Sequence, residues 1–442
     1  MGITLHLLLH SDRDPIPDVP AVYFVMPTEE NIDRICQVFD QYLNFITLED
    51  DMFILCHQNK ELISYHAINR ADIQDTDMEA IMDTIVDSLF CFFVTLGAVP
   101  IIRCPRGNAA EMVAVKLREN LRDARNSLFT GDNMAAGQFS FQRPLFVLAD
   151  RNVDMATPLH HTWTYQALIH DVLDFHLNRV MMEEGAGAEP SPAGARPKKK
   201  SRKTYDLTAA DKFWQKHKGR SVQEEEEIRV VCCHFRDQNE SGLGEDEGAI
   251  QHAVRQHSQA HLCRQRAPSE SDLEQYKKAL LDAGCDLSPL NYIKQWKAFT
   301  KMAATPANYG NSGVKPMGLF SRVMNTGSQF VMEGVKNLVL KQHNLPVTRI
   351  LDNLMEMKSH PETDDYRYFD PKMLRGSESS IPRNKNPFQE AIVFVVGGGN
   401  YIEYQNLVDY TKSKQGKKVV YGCSELFNAA QFIKQLSQLG QK

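Results

Sequence analysis

Ala391-Ile-Val-Phe-Val-Val-Gly-Gly-Gly-Asn-Tyr-Ile-Glu-Tyr-Gln-Asn-Leu407 is the stretch whose reading decides the fold. Six apolar residues read as a strand, three glycines turn the chain, and a helix-like pattern follows. Outwardly this is a nucleotide-binding βα unit. A phosphate loop needs Gly-x-x-x-x-Gly-Lys-Ser/Thr, because the lysine reaches the outer phosphates and the hydroxyl holds magnesium. Neither residue stands in Gly397–Glu403. A dinucleotide fingerprint would put its last glycine where Ile402 stands, and an acidic residue at the end of the next strand, where Gly422 follows Tyr421. Glu403 falls in the first helical turn, where its charge would repel a phosphate. The turn therefore reads as a structural corner that lets strand and helix pack closely. A nucleotide-dependent enzyme using Gly397–Gly399 is the alternative.

Working outward, the 442 residues, 42% hydrophobic, can bury two or three cores. A net charge of −6 gives no reason to expect nucleic-acid binding. Nine cysteines form no disulfide framework and point to a reducing compartment. Met1–His10 reads as a buried strand, not a targeting segment. The longest apolar runs, Leu89–Leu96 and Ala391–Val396, fall short of the roughly 18 residues that a spanning helix needs. Any membrane association is expected to be peripheral.

The chain opens as an α/β pattern with a parallel sheet. Ala21–Met26, Met52–Cys56 and Val99–Arg103 read as strands. Helices are expected from Thr28, a plausible N-cap, from Ala80 to Thr95, and from Ala109 to Arg125. A second α/β unit begins with the strand Pro144–Asp150, after which Thr157-Pro158 is expected to open a helix running to about Leu177. Glu183–Lys203 is low-complexity and reads as a surface loop. Tyr205–Lys216 reads as a short helix, and Gly219–Ala267 shows no steady period. Helical patterns return at Pro268–Met302, Met317–Leu340 and Leu345–Met357. Ser359–Lys385 reads as a polar loop. The final α/β unit runs from Pro387, through the strand Lys417–Tyr421, to a helix over Ser424–Leu436. The α/β segments begun at Pro144 and at Pro387 are each too small for a substantial sheet. They are expected to complete one sheet, with the helical block inserted between their strands.

Three clusters invite chemistry. Asp150, Arg151 and Asp154, at a strand end, suggest a metal or catalytic group, but an Asp–Arg pair fixing the loop is the simpler reading. His170 and Asp171 read as local polar contacts. Cys232, Cys233, His234, His252, His257, His261 and Cys263 invite zinc, yet adjacent cysteines cannot easily share one tetrahedral ion. Arg196-Pro-Lys-Lys-Lys-Ser-Arg-Lys203 is a solvated basic loop, a nuclear-import patch, or a weak contact for acidic lipid. No nucleophile elbow, His-Glu-x-x-His helix or Cys-x-x-Cys pair appears. No catalytic, cofactor-binding or metal-binding residue is assigned.

Longer strings are more specific. Ile101-Ile-Arg-Cys-Pro-Arg-Gly107, Gln142–Leu159 (with Ala149-Asp-Arg-Asn-Val-Asp154), His161-Thr-Trp-Thr-Tyr-Gln-Ala167, Phe394–Leu407 and Tyr421-Gly-Cys-Ser-Glu-Leu-Phe-Asn428 together resemble the SM (Sec/Munc-type, syntaxin-binding) family of SNARE regulators. The likeness is nearest to the Sly-type branch, which acts between endoplasmic reticulum and Golgi. It extends over nearly all of the chain except roughly 219–267.

The resemblance implies an arch-shaped, non-enzymatic protein of three domains without a cofactor. It would bind syntaxin-type SNAREs, assembled SNARE complexes and Golgi tethering factors, and would be cytoplasmic and peripheral on endoplasmic reticulum and Golgi membranes through its partners. Residues 1–138 would form a partial first α/β domain. The second domain would be split into 139–204 and 385–442, around a mainly helical third domain over 205–384 with a degenerate 219–267. Members of this branch are expected to have further chain ahead of Met1, a helix and strand between Gln37 and Val38, and a long SNARE-contacting helical arm between Lys218 and Pro268. This chain then reads as a shortened form. An adaptor for trafficking factors, without SNARE templating, is the blander alternative.

Overall fold

A computed structural model describes residues 25–35, 44–56, 61–124, 143–160, 164–184, 201–207, 210–220, 277–278, 280–282, 284–304, 344–373 and 386–441. Its first elements are helix α1 (Glu29–Asp33), strands β1 (Phe45–Glu49) and β2 (Met52–Leu55), and helices α2 (Tyr65–Asn69) and α3 (Asp75–Leu96). Next come β3 (Ile101–Cys104), α4 (Ala109–Asp123), β4 (Leu145–Asp150), α5 (Tyr165–Val172), β5 (Asp174–His176), β6 (Arg179–Glu184), β7 (Ser201–Asp206) and α6 (Lys212–His217). The chain closes with α7 (Ser288–Ala304), α8 (Pro346–Met355), β8 (Arg367–Phe369), β9 (Glu390–Val396), α9 (Tyr401–Ser413), β10 (Lys418–Cys423) and α10 (Ala429–Gly440). Two compact units result. One holds the described residues up to His160 and those from Ser288 onward; the other holds those between 164 and 287.

The larger unit is built on a seven-stranded sheet in the order β1-β2-β10-β9-β4-β3-β8. Its five inner strands run parallel, and β1 and β8 flank them antiparallel. The expected joining of distant segments is visible in the register: Leu145 lies opposite Ala391 and Asp150 opposite Val396. Every residue of β4, and all but the first of β9, is buried, which is what near-continuous apolar runs produce at the centre of a parallel sheet. In α3, Met78, Ile81, Met82, Ile85, Leu89 and Phe92 keep helical spacing and form a buried stripe. α4 does the same with Val113, Leu117 and Leu121. Both stripes pack into one core with Phe53 and Phe394, and Phe53 stacks on Phe92 at 4.0 Å. Thr28 caps α1 as expected, accepting from the Asn31 amide at 3.2 Å. A second apolar cluster joins α7 to α10 through Tyr292, Trp296, Phe427, Phe432 and Leu436.

Several expectations are corrected. Ser359–Lys385 is not all loop, because β8 adds an antiparallel edge strand and buries Tyr368 and Phe369. The last helix starts at Ala429, not Ser424. Ser424–Phe427 is tied to the glycine corner, with Leu426 bridging Gly399, and Asn428 caps the helix in a capping box with Gln431. Val25-Met26 is not strand. The readings at 21–24, 221–267 and 317–340 lie outside the described residues.

Among the described residues, the helix expected from Thr157 to Leu177 is not continuous. Thr157–Leu159 is a single 3₁₀ turn, α5 covers Tyr165–Val172, and β5 follows directly. Leu177, at φ 56°, forms the tight turn from β5 into β6. Packing decides the outcome: Tyr165, Ile169, Val180 and Trp214 form one cluster, joined by Leu173 and Phe175, so the strand serves this core better than more helix. The ends of the expected low-complexity loop are also strand, since Glu183 and Glu184 pair with Arg202 and Ser201. The expected helix over Tyr205–Lys216 begins only at Lys212, capped by Asp211, while Tyr205 and Asp206 finish β7.

Candidate functional site

The candidate site is the corner where β9 passes through Gly397–Gly399 into α9. Gly397 and Gly398 have φ of 90° and 100°, a left-handed backbone that L side chains rarely adopt. The space above the glycines is full. A Cβ on Gly398 would stand 2.1 Å from a Phe427 ring carbon, and one on Gly399 would stand 2.1 Å from the Tyr421 hydroxyl. Three of the corner's amides are occupied as well. Gly397 N–H donates to Ser424 Oγ at 3.0 Å, Gly399 N–H to the Glu425 carbonyl at 2.8 Å, and Asn400 N–H to Tyr421 Oη at 3.1 Å. Asn400 caps α9 through the Glu403 amide at 2.9 Å. These are the donors that a phosphate cradle presents to its ligand. Here they are spent on the β10–α10 connection, so the turn is a packed strand–helix corner.

Arg151 and Glu403 form the electrostatic centre of this corner, at 1% and 0% exposure. Nη1 donates to Oε2 at 3.0 Å and Nη2 to Oε1 at 2.7 Å, a bidentate pair. Arg151 Nη2 also donates to the Asp154 carbonyl at 2.6 Å, and Tyr421 Oη donates to Glu403 Oε2 at 2.7 Å. Burial alone would push the guanidinium down; the Glu403 carboxylate reverses that and holds it above its ordinary value. Burial, reinforced by the Glu403 charge, pushes the Tyr421 phenol well up.

This geometry corrects the reading of Asp150, Arg151 and Asp154. Arg151 does pair with Asp154, at 3.9 Å, but its main partner, Glu403, stands 252 residues further on. Asp150 accepts from the Asn152 amide at 2.9 Å, and Asp154 accepts from the Ala156 and Thr157 amides at 3.0 Å and from the Thr157 hydroxyl. Each carboxylate pins its own loop, and burial raises Asp150 above the usual carboxylate value. Among the described residues, no group of three or more His, Cys, Asp or Glu could hold a metal ion. The Cys232–Cys263 cluster lies outside them. His170 is buried, which pushes its imidazole down to about 4 against a small opposing effect of Asp171.

Sequence reading missed the next layer. Glu425 Oε1 accepts from the Tyr65 amide at 2.8 Å and from Gln435 Nε2 at 2.9 Å. It thereby ties the start of α2 to α10. The link is doubled by Gln435 Oε1, which accepts from the His66 amide at 2.8 Å. Burial pushes the Glu425 carboxyl up to about 7. Tyr65 Oη then reaches Asn152 Oδ1 at 2.7 Å and Tyr292 Oη at 3.2 Å. The one sequence signal for this layer was an acidic residue, Glu425, inside the string Tyr421–Asn428.

A buried network that consumes its own donors belongs to a scaffold. The Sec1 family model matches residues 36–224 and 233–435. The chain belongs to the Sec1 family. Membership sets the general role: a non-enzymatic regulator of vesicle fusion that binds syntaxin-type SNAREs. The human Sec1 family domain-containing protein 1 is 62% identical, with all of this chain and 90% of the relative's length covered. The sly1 homologue of Drosophila melanogaster is 42% identical, at the same coverages. Alignment to the human relative runs over 575 positions against 442 residues here, so this family member is a shortened one. Among solved structures, the fold is similar to that of Sly1p in complex with an N-terminal peptide of Sed5p. The TM-score is 0.59 at 24% identity, covering 98% of this chain and 86% of that one. No helix among the described residues is long and apolar enough to cross a membrane.

Proposed function

We propose that this chain is a Sly-type member of its family, regulating SNARE assembly in transport between endoplasmic reticulum and Golgi. The observation that carries the reading is the 42% identity, along the whole chain, to a sly1 homologue. The Gly397–Gly399 corner supports it from the other side, because the position where an enzyme would hold its nucleotide is filled by Phe427 and Tyr421. On this reading the working parts are surfaces, with syntaxin-type SNAREs and Golgi tethering factors as partners. The protein sits on the cytoplasmic side of those membranes, held there through those partners.

The test is calorimetric titration of the purified chain with the N-terminal peptide of an endoplasmic reticulum–Golgi syntaxin. Saturable heat is expected. No heat with excess peptide overturns the reading for this chain. Its shortening favours one second reading, an adaptor without templating. Pull-down that captures SNAREs but no tethering protein would overturn the adaptor.

A further inference from the structure

Glu425 joins three elements at once. Its carbonyl takes the Gly399 amide at 2.8 Å, and its side chain packs under the turn, with Cγ 2.9 Å from where a Cβ on Gly398 would stand. Its Oε1 takes the Tyr65 amide and Gln435 Nε2, while Gln435 Oε1 takes the His66 amide. The opening amides of a helix have no partner within it. In α2 all three lean on side chains: Ala67 on Ser64 Oγ at 3.1 Å, Tyr65 on Glu425 and His66 on Gln435. Two of these three supports come from the segment that leads into α10.

The two supports differ chemically. Gln435 is neutral at every pH, whereas Glu425 can lose a proton. The residue is half-buried, but its carboxyl faces the Tyr65 and Gln435 donors. Around it stand Tyr65 and His66 from α2, Gln435 from α10, Cys423 from β10 and, across the glycine turn, Arg151 and Glu403. The Arg151 guanidinium is spent on Glu403. Burial, with the charges of Glu403 and Glu425, pushes the Cys423 thiol well up, so it stays neutral. Lys434, also on α10, is exposed. Among the described residues no cation pairs with Glu425, and burial sets its carboxyl at about 7.

We propose that the joint between α2 and α10 is a pH-operated latch, closed while Glu425 holds its proton and released as the carboxylate forms. The proton passes to solvent. In the closed joint the new charge meets two neutral donors; in the open joint it meets water. α10 keeps its apolar seat on α7 through Leu436, Tyr292 and Trp296, so release parts the polar seam without unfolding the chain. With ionisation at about 7 closed and 4.5 open, the open fraction should rise about tenfold from pH 6 to pH 8.

The test is hydrogen exchange of the intact chain between pH 6 and 8, resolved to single amides by mass spectrometry and corrected for the intrinsic pH dependence of exchange. The Tyr65 and His66 amides should open about tenfold more at pH 8 than at pH 6, and dilute urea should leave that opening unchanged, because a local opening exposes little surface. Amides of β4 and β9 should be slower and urea-sensitive. Glu425→Gln keeps the acceptor oxygen and cannot ionise, so its profile should be flat; His66→Gln should keep the rise. Opening of Tyr65 and His66 that ignores pH overturns the proposal. So does a rise that persists in Glu425→Gln or vanishes in His66→Gln. Exchange of these two amides only together with β4 and β9 also overturns it, since Glu425 would then act on overall stability and not on a latch.

Discussion

Arg151 and Glu403 meet as a fully buried bidentate pair, joining the loop after β4 to the first turn of α9. Neither charge has water to return to, so losing one partner leaves the other unpaired in a low-dielectric interior. Such losses cost about 3–5 kcal/mol, whereas replacing both partners by apolar groups is often far milder. Arg151→Met and Glu403→Leu should each lower the urea midpoint of the intact chain by that measure. The double variant should recover most of the loss. Additive losses in the double variant would show that the two charges do not depend on each other.

Gly398 and Gly416 both have a left-handed backbone, at φ 100° and 81°, and they separate conformational cost from steric cost. A Cβ on Gly416 meets only the end of a flexible side chain, Gln389 Oε1 at 3.7 Å, while one on Gly398 drives into the Phe427 ring. Gly416→Ala should therefore cost about 1 kcal/mol from backbone preference. Gly398→Ala should cost at least ~3 kcal/mol, because overpacking adds to it. Thermal unfolding of the two variants side by side measures the gap. Equal shifts would mean that Phe427 moves aside freely.

What was legible in the sequence follows from range. β4 and β9 were readable because an unbroken apolar run needs only its own residues to announce a buried strand. Gly397–Gly399 was readable as a corner because the lysine, hydroxyl and third glycine of a phosphate site are missing locally. Arg151's partner was not readable, because nothing near Asp150 distinguishes an arginine bound for its own loop from one bound for residue 403. β8 was hidden for another reason: Arg367-Tyr-Phe369 is too short for a period, and its burial depends on Ile102 and Arg103 standing opposite. The helix expected through Leu177 failed where a hairpin could place Leu173 and Phe175 against Trp214.

Glu425 should make the fold more stable at lower pH over a defined window. Its carboxyl is pushed from 4.5 up to about 7 by burial, so between those values the folded chain holds a proton that the unfolded chain has released. That contribution is complete below the unfolded value and is lost as pH rises through about 7. Glu425→Gln removes the titration and keeps an oxygen for the Tyr65 and Gln435 donors. The variant should be more stable than the parent at about pH 8, by on the order of 1–3 kcal/mol, and should match it near pH 5. Urea midpoints across that range check this. Parallel profiles for the two proteins would place the buried proton elsewhere.

His170 titrates in the opposite sense. Burial pushes its imidazole down to about 4 from 6.5, so the unfolded chain takes up a proton before the folded chain does. The neutral ring contributes stability above the unfolded value, and this is lost as pH falls from about 6.5 toward 4. Proton NMR of the native chain should show the His170 ring unmoved from about pH 8 to 5, while exposed histidines titrate near their ordinary value. His170→Asn, which cannot charge, should flatten the acid side of the stability profile of the α5–β5–β6 unit without changing its level at neutral pH by more than about 1–2 kcal/mol. A His170 resonance that titrates near 6.5 would mean that the pocket formed with Phe175, whose ring centroid lies 6.0 Å from the imidazole, admits water.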